Sequence, residues 1–483
     1  MLPVSDLYAC LSVKRTATPE QIQQAYRRAA RRFHPDANPS PHASEEFKLI
    51  ADAYDILGNP ARRARYDSQF PAAARSFFST KLMYSRAKLL RLPDSQIVYV
   101  FAEITAQSNA VIPEPPLNLC LVIDRSTSMQ GARLEQVVSA GRQIINALSE
   151  NDTFSVVTFS DHAEVVLPAQ LCQNKAAIHS KVSSIYAGGG TEILQGLLAG
   201  LLELQHNLKP TAANHLILLT DGRTYGDEDN CFLLARLAAS DGITISGLGI
   251  GDEWNDSFLD RLAAETGGQS VYISSPSVVT RLLTEQVRGI GDTLGRIRLD
   301  AICDPGVTLK SAFRVSPEAQ PITSDSPLMN LGPLFKNGTV SVLLEFVVTT
   351  NADPYRALAR LRVIGDILNT GNPGESEVVD IYLPQTDTPD PTPPPPTIVS
   401  ALDRLTLYRL QEKAWSDADA GNITLATQRL QTVATRLLAN GERELASIAM
   451  GEAARLNQTR QVSSENRKRI KYGTRALIPP SHS

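Results

Sequence analysis

Leu117-Asn118-Leu119-Cys120-Leu121-Val122-Ile123-Asp124-Arg125-Ser126-Thr127-Ser128-Met129 is the stretch whose reading decides the fold. Its first seven residues are mostly aliphatic and do not alternate with polar ones. That is the pattern of a central strand in a parallel sheet, buried on both faces. The polarity then switches abruptly to one carboxylate and two hydroxyls, spaced two apart. Leu134, Val137, Val138, Gly141, Ile144, Ile145 and Leu148 follow on one helical face. Open α/β sheets bind ligands in the loops at the C-terminal ends of their strands. Three hard oxygen donors in one such loop suit a small octahedral cation such as Mg²⁺ better than a soft metal.

Two further stretches supply more donors. Gly188-Gly189-Gly190-Thr191-Glu192 precedes a helix and presents a hydroxyl, and Leu216-Ile217-Leu218-Leu219-Thr220-Asp221-Gly222 is a second buried strand ending in a carboxylate. The set resembles the metal-ion-dependent adhesion site of the von Willebrand factor type A (vWA) family: Asp-x-Ser-x-Ser, then a Thr, then an Asp. Every position of that motif is filled. The resemblance implies a doubly wound, Rossmann-like domain holding a cation directly through Ser126, Ser128 and Thr191. Asp124 and Asp221 would act mostly through water, leaving one position open for a partner's carboxylate. Mg²⁺ is the expected ion, with Mn²⁺ or Ca²⁺ as alternatives. A plainer role for the three hydroxyls is helix N-capping.

The N-terminal 70 residues read as helices. Thr18-Pro19-Glu20-Gln21 is a helix start with Thr18 as N-cap, Pro19 at N1 and Gln21 completing a capping box. Ile22, Tyr26, Ala29 and Phe33 share one face, with Arg27, Arg28, Arg31 and Arg32 largely on the other. His34-Pro35-Asp36 ends the helix, since the residue before a proline leaves the α region. A second helix carries Phe47, Ile50, Ala51, Tyr54 and Leu57, and the two make an antiparallel pair. Asp6-Leu7-Tyr8, Tyr26-Arg27, His34-Pro35-Asp36, Ala53-Tyr54 and Arg65-Tyr66-Asp67 together resemble a J-domain. One departure is Ser12, where the family usually has Gly. The resemblance implies that His34, Pro35, Asp36 and the four arginines engage a DnaK-type chaperone and stimulate its ATPase. The family's zinc module and Gly/Phe-rich segment are missing, so client capture must come from elsewhere or not occur.

A chain of 483 residues holds roughly three domains. The net charge of −4 argues for neither nucleic acid nor a membrane surface as partner. Cys10, Cys120, Cys172, Cys231 and Cys303 are odd in number and lack a Cys-x-x-Cys pair, which fits a reducing cytosol rather than a zinc site or disulfide framework. No signal peptide or membrane span is visible, and a cytoplasmic location is expected.

The expected divisions are a J-domain over 1–70, a linker over 71–80, β strands over 81–113, the vWA domain over 114–288 and a β-sandwich over 289–386. A proline-rich spacer over 387–397, a helical hairpin or bundle over 398–472 and a tail over 473–483 complete the chain. The strand near 96–106 is separated from the metal strand by prolines and is expected to join the later strands. The vWA domain then becomes an insertion in the sandwich. Tyr408 and Trp415 are expected in the core of the helical bundle. The basic run Arg467-Lys468-Arg469-Ile470-Lys471 is expected to be a solvated helix end, the alternative being a docking strip on the protein's own acidic surface or on a partner.

These expectations describe a J-domain co-chaperone whose vWA module selects a protein client by its carboxylate. The alternative is a non-catalytic scaffold that uses the J-domain only as a docking handle. An enzyme is not expected, because no general base stands beside the proposed metal and neither a nucleophile elbow nor a phosphate loop is present.

Overall fold

The structure, a computed structural model, describes residues 7–38, 43–69, 77–107, 114–222, 226–322, 328–368 and 375–477. Asp6 of the J-domain motif and most of the expected 71–80 linker lie outside the described residues.

The N-terminal unit contains α1 (Leu7–Cys10), α2 (Pro19–Phe33), α3 (Ala43–Leu57) and α4 (Pro60–Gln69). The Thr18 capping box forms as its sequence suggests: Gln21 N donates to Thr18 Oγ1 at 3.3 Å and Thr18 N to Gln21 Oε1 at 2.9 Å. Ile22, Ala25, Ala29 and Phe33 pack against Ile50, Ala53 and Leu57. α2 stops at His34, whose extended backbone (φ −59°, ψ 131°) precedes Pro35.

Three strands follow: β1 (Phe78–Tyr84), β2 (Leu89–Leu90) and β3 (Gln96–Ala106). β1 starts inside the expected linker, because Phe78 is buried in the sandwich core. The α/β domain then runs β4 (Leu117–Asp124), α5 (Ala132–Ala147), β5 (Thr153–Phe159), β6 (Ala163–Leu171), α6 (Lys175–Val182), α7 (Ile193–His206) and β7 (Ala213–Thr220). It continues with α8 (Glu228–Ser240), β8 (Ile243–Ile250), α9 (Asp256–Thr266), β9 (Ser270–Ile273) and α10 (Val279–Gly291). Its strand order is β6-β5-β4-β7-β8-β9. Only β6 is antiparallel to its neighbour. β4, β7 and β8 are buried along their whole length, as continuous aliphatic runs require. Sequence reading missed β6, which is half exposed and contains Pro168. A proline is tolerated on such an edge because it has no ladder hydrogen bond to donate there.

The chain returns to β strands with β10 (Thr293–Cys303), β11 (Val307–Ser316), β12 (Gln320–Ile322), β13 (Leu328–Phe335), β14 (Thr339–Val348), β15 (Tyr355–Ile367) and β16 (Glu375–Thr386). Two five-stranded sheets form, β1-β3-β14-β11-β12 and β13-β10-β15-β16-β2. β3 sits between β1 and β14, so the α/β domain is inserted between two strands of a β-sandwich. The inner faces share one core, including Val98, Val100, Ile297, Leu299, Val342, Leu344, Leu361 and Val363.

α11 (Pro396–Asp419), α12 (Ile423–Ala439), α13 (Arg443–Thr459) and α14 (Ser464–Arg475) close the chain. Pro396 and Thr397, expected in the spacer, form the first turn of α11, and the helical region runs past 472 to Arg475. Trp415 is in the bundle core with Leu430, Val433, Leu437, Ala449 and Ala453. Tyr408 is not: its ring packs 5.6 Å from that of Phe313 on β11, fastening α11 to the sandwich.

The basic run in α14 departs most from expectation. Lys468 and Lys471 are buried. Lys468 Nζ donates to the carbonyls of Asp252 and Trp254, the latter at 2.9 Å. Lys471 pairs with Asp256 and Asp260, and Arg475 forks onto Asp260 at 2.7 and 2.6 Å. Lys468 and Lys471 of the run dock on the protein's own α/β domain, since Asp256 and Asp260 of α9 face them at a buried contact. No helix among the described residues is long and apolar enough to cross a membrane.

Candidate functional site

β4 delivers Asp124 to the C-terminal edge of the sheet, where the chain turns away from its neighbours. Asp124 is fully buried. Its Oδ1 accepts from the Ser126 backbone N–H at 2.8 Å and its Oδ2 from the Thr220 hydroxyl at 2.6 Å. Burial raises the Asp124 pKa above the usual carboxylate value, against the hydrogen bonds that favour the charged form. The Ser126 and Ser128 hydroxyls lie 3.0 Å apart, and Ser128 donates to Asp221 Oδ1 at 2.6 Å. Asp221 is itself buried at the end of β7.

Thr191 comes from the glycine-rich loop before α7. A Cβ placed on Gly222 would lie 3.1 Å from Thr191 Oγ1, so the glycine after Asp221 lets that hydroxyl approach. The glycines also let the loop close over its neighbours. Gly189 has φ +90°, and a Cβ there would meet Asp161 Oδ2 at 2.6 Å. Gly189 O accepts from the Thr127 N–H at 3.1 Å and the Thr127 hydroxyl at 3.0 Å, and Gly188 N donates to Arg125 O at 2.7 Å. Gly190 N donates to Asp161 Oδ1 at 2.9 Å. Thus Asp124, Ser126, Ser128 and Asp221 form one hydrogen-bonded chain, with Thr191 beside its far end.

Two carboxylates and three hydroxyls are a hard oxygen set. They fit a small cation such as Mg²⁺ and lack the sulfur or imidazole that a zinc site uses. Among the described residues, no cluster of three or more His, Cys, Asp or Glu is placed to hold a metal. The set is therefore recognisable by its hydroxyls rather than its charges.

Sequence reasoning missed two members. Thr220, beside Asp221 in the motif, is the donor that holds Asp124 Oδ2. Arg133, in the first turn of α5, pairs with Asp221 Oδ2 and donates to Ser128 O at 3.1 Å. A cation in a first turn opposes the helix dipole, which was the available signal.

The second predicted surface is on the J-domain. His34, Pro35, Asp36, Arg27, Arg28 and Arg31 are exposed. His34 Nδ1 accepts from the Asp36 N–H at 3.2 Å, and its ring meets Phe47 edge-on with centroids 5.3 Å apart. The loop is therefore braced while its polar edges face solvent. Arg32 departs from its three companions. It turns inward to pair with Asp304 and, at 2.8 Å, with Asp380 of the sandwich.

Arg32 belongs to a buried network that docks the J-domain on β15 and β16. Arg360 joins Glu46 at 2.9 Å, Asp380 at 2.8 Å and the Cys10 carbonyl at 2.9 Å, while Arg362 pairs with Glu46. Burial alone would raise the Asp380 pKa, but the hydrogen bonds and charges of Arg360 and Arg32 hold it well below the usual range. Ser12 takes part directly. Its backbone has φ +53°, the left-handed conformation that favours the family's glycine, and its hydroxyl bonds Asp380 and Arg360.

Family models match residues 6–67 as DnaJ domain, 118–285 as von Willebrand factor type A domain and 396–480 as the Sll0103-like C-terminal alpha-helical domain. The chaperone protein DnaJ of Leifsonia xyli is 53% identical over 64 residues, 13% of this chain and 17% of that one. The chain thus spans only the J-domain of that relative. Among solved structures, a von Willebrand factor type A protein from Catenulispora acidiphila superposes with TM-score 0.69 at 17% identity, covering 85% of this chain and 99% of its own. The ArnB paralog VWA2 from Sulfolobus acidocaldarius gives 0.52 at 14% identity, covering 84% and 100%. Both show the shared fold. The uncharacterized protein sll0103 of Synechocystis is 32% identical over 378 residues, 76% of this chain and 89% of that one, so the chain belongs to the Sll0103-like family of von Willebrand factor type A proteins, with a J-domain joined to it.

Proposed function

We propose that the protein is a J-domain co-chaperone that stimulates a DnaK-type ATPase and recruits a protein client through metal-dependent binding at its vWA domain. The observation that supports this reading is that two separate groups of motif residues stand on one docked frame. His34, Pro35, Asp36, Arg27, Arg28 and Arg31 face solvent, while Asp124, Ser126, Ser128, Thr191 and Asp221 converge at the C-terminal edge of the α/β sheet. Ser126, Ser128 and Thr191 would hold Mg²⁺, or Mn²⁺ or Ca²⁺ in its place, and Asp124 and Asp221 would orient the hydroxyls. When bound, the ion supplies an electrophilic position for an acidic side chain of the client. His34 has its own loop's Asp36 carboxylate 3.6 Å away, exposed to solvent and with no nucleophile between them, so its part in this reading is recognition.

The burial of Arg32 and the docking of the J-domain favour a second reading, in which the J-domain is a handle on a scaffold. ATPase measurements separate the two. Wild-type protein should stimulate a DnaK-type ATPase and His34→Gln should not; absence of stimulation by wild type leaves the scaffold. The metal is tested by melting. A cation bound only to the folded state stabilises it by about 2.7 kcal/mol at a hundredfold excess over Kd. Millimolar Mg²⁺ or Mn²⁺ should raise the melting temperature of wild type but not of Asp124→Ala. Indifference of wild type to cation and chelator alike removes the metal from the reading.

A further inference from the structure

We infer that Arg133 is a built-in counter-charge for Asp221 that lowers the site's affinity for its cation and makes occupancy depend on an anionic partner group. This rests on the metal reading of the site. Arg133 is the second residue of α5, after an N-cap at Gly131. The helix dipole disfavours a cation there, so the position needs a specific anion to hold it. The anion is Asp221, whose side chain is buried while about a third of the Arg133 side chain remains exposed. Nη1 reaches both Asp221 Oδ2 and Ser128 O. The guanidinium lies over Gly251, in the loop after β8. A Cβ on Gly251 would sit 3.2 Å from Nη2 and 3.6 Å from Cζ. Three loops are thus arranged around one fixed positive charge: those after β4, β7 and β8.

The electrostatic consequence follows from the three charged side chains in this cluster. Asp124 and Asp221 alone would carry a charge of −2 and be neutralised by a divalent cation. With Arg133 they carry −1, and the loaded cluster carries +1. The cation is therefore held less tightly than by two unopposed carboxylates, and a carboxylate arriving from solvent meets a net positive site. Cation and anion then favour each other's binding, and by linkage the effect is reciprocal. Asp221 Oδ1 accepts from the Ser128 hydroxyl while Arg133 holds Oδ2, so Arg133 is a positioning residue and not a ligand.

The test uses the full chain, stripped with chelator and titrated calorimetrically with Mn²⁺ and Mg²⁺ alone. Arg133→Gln keeps a donor for Asp221 but drops the charge. It should bind either cation more tightly, on the order of tenfold, as expected for removing one partly screened like charge a few ångströms away. Arg133→Lys restores the charge and should bind as wild type does. Added acetate should tighten Mn²⁺ binding in wild type and do so less in Arg133→Gln. Equal or weaker cation binding by Arg133→Gln overturns the inference, as does an acetate effect of the reverse order. If wild type binds no cation, the metal reading itself falls. If it binds and Arg133→Gln matches it, only the role of Arg133 falls. Should Arg133→Gln not fold, the Arg133 Nε–H resonance of wild type, assigned by its loss in Arg133→Lys, decides: it should shift on Mg²⁺ addition, and an unmoved resonance overturns the proposal.

Discussion

α2 and α14 are both basic helices fastened to the body by charge, yet they are fastened in opposite ways. α14 commits three of its five cations: Lys468, Lys471 and Arg475 turn inward onto Asp256, Asp260 and two carbonyls of the α/β domain. α2 commits one, Arg32, and leaves Arg27, Arg28 and Arg31 outside. At the J-domain the body supplies most of the positive charge, through Arg360 and Arg362, and the J-domain answers with Glu46. A basic run therefore does not announce its direction. What decides is whether a desolvated acid stands opposite, and that acid is hundreds of residues away in sequence.

The largest expected effect comes from breaking the N-terminal network at its centre. Arg360→Ala strips one cation from two buried carboxylates at once, leaving Glu46, only 1% exposed, to Arg362 alone and Asp380 to Arg32 alone. Removing one side of a buried ion pair costs about 3–5 kcal/mol, which should open the J-domain interface without unfolding the α/β domain. Hydrogen exchange should rise sharply in α2 and α3 and stay unchanged in β4 and β7. Asp260→Ala should act at the other end and more mildly, near the lower limit of that range, because Lys471 keeps Asp256 when Arg475 loses its partner. Exchange then rises in α14 alone. Unchanged protection at the J-domain interface in Arg360→Ala would show that the network is ornamental.

Acid sharpens the comparison. At α14, burial raises both the Asp256 and Asp260 pKa values, but the charges of Lys471, Arg467 and Arg475 outweigh it and hold both low. Stabilisation from such groups is full above the ordinary carboxylate value of about 4 and is lost as pH falls below it. At the J-domain, Asp380 behaves in the same way. Asp304 does the reverse: burial outweighs Arg32 and raises its pKa, so protonation relieves a cost. Lowering the pH from 6 to about 3 should therefore loosen α14 more than the J-domain, as read by amide exchange at each pH. Earlier opening of the J-domain would invert the assignment.

The parts of the fold carried by local pattern were legible. The aliphatic runs of β4 and β7, the Thr18 cap and the isolated strand at 96–106 each state their structure in a few neighbouring residues. So did Asp124, Ser126, Ser128, Thr191 and Asp221, because a motif fixes residue types at three loop positions at once. Interfaces were not legible. By local sequence Phe78 reads as linker, Tyr408 as bundle core and Lys471 as solvated surface, since each takes its meaning from a partner in another domain. Ser12 is the instructive case. Read within the J-domain it is a departure from glycine without consequence, whereas against β16 it is a hydroxyl on Asp380 and Arg360.

The smallest effect on stability should come with a large effect on function. Arg27 and Arg31 are exposed on α2, and surface substitutions away from special features usually change stability by less than about 0.5 kcal/mol. Arg27→Glu with Arg31→Glu should therefore melt like wild type and keep the exchange protection of the docked J-domain. On the proposed function it should nevertheless lose stimulation of a DnaK-type ATPase, because two of the exposed cations that the contact would use are reversed. Wild-type stimulation should fall with added salt, as screened surface attraction does. Arg32→Ala separates the two faces of the same helix. Its partners are Asp304 and Asp380, so it should weaken docking while leaving most of the stimulation at low salt. If Arg32→Ala instead abolishes stimulation with docking intact, Arg32 belongs with its outward neighbours, and the division of α2 into a recognition face and a docking face is wrong.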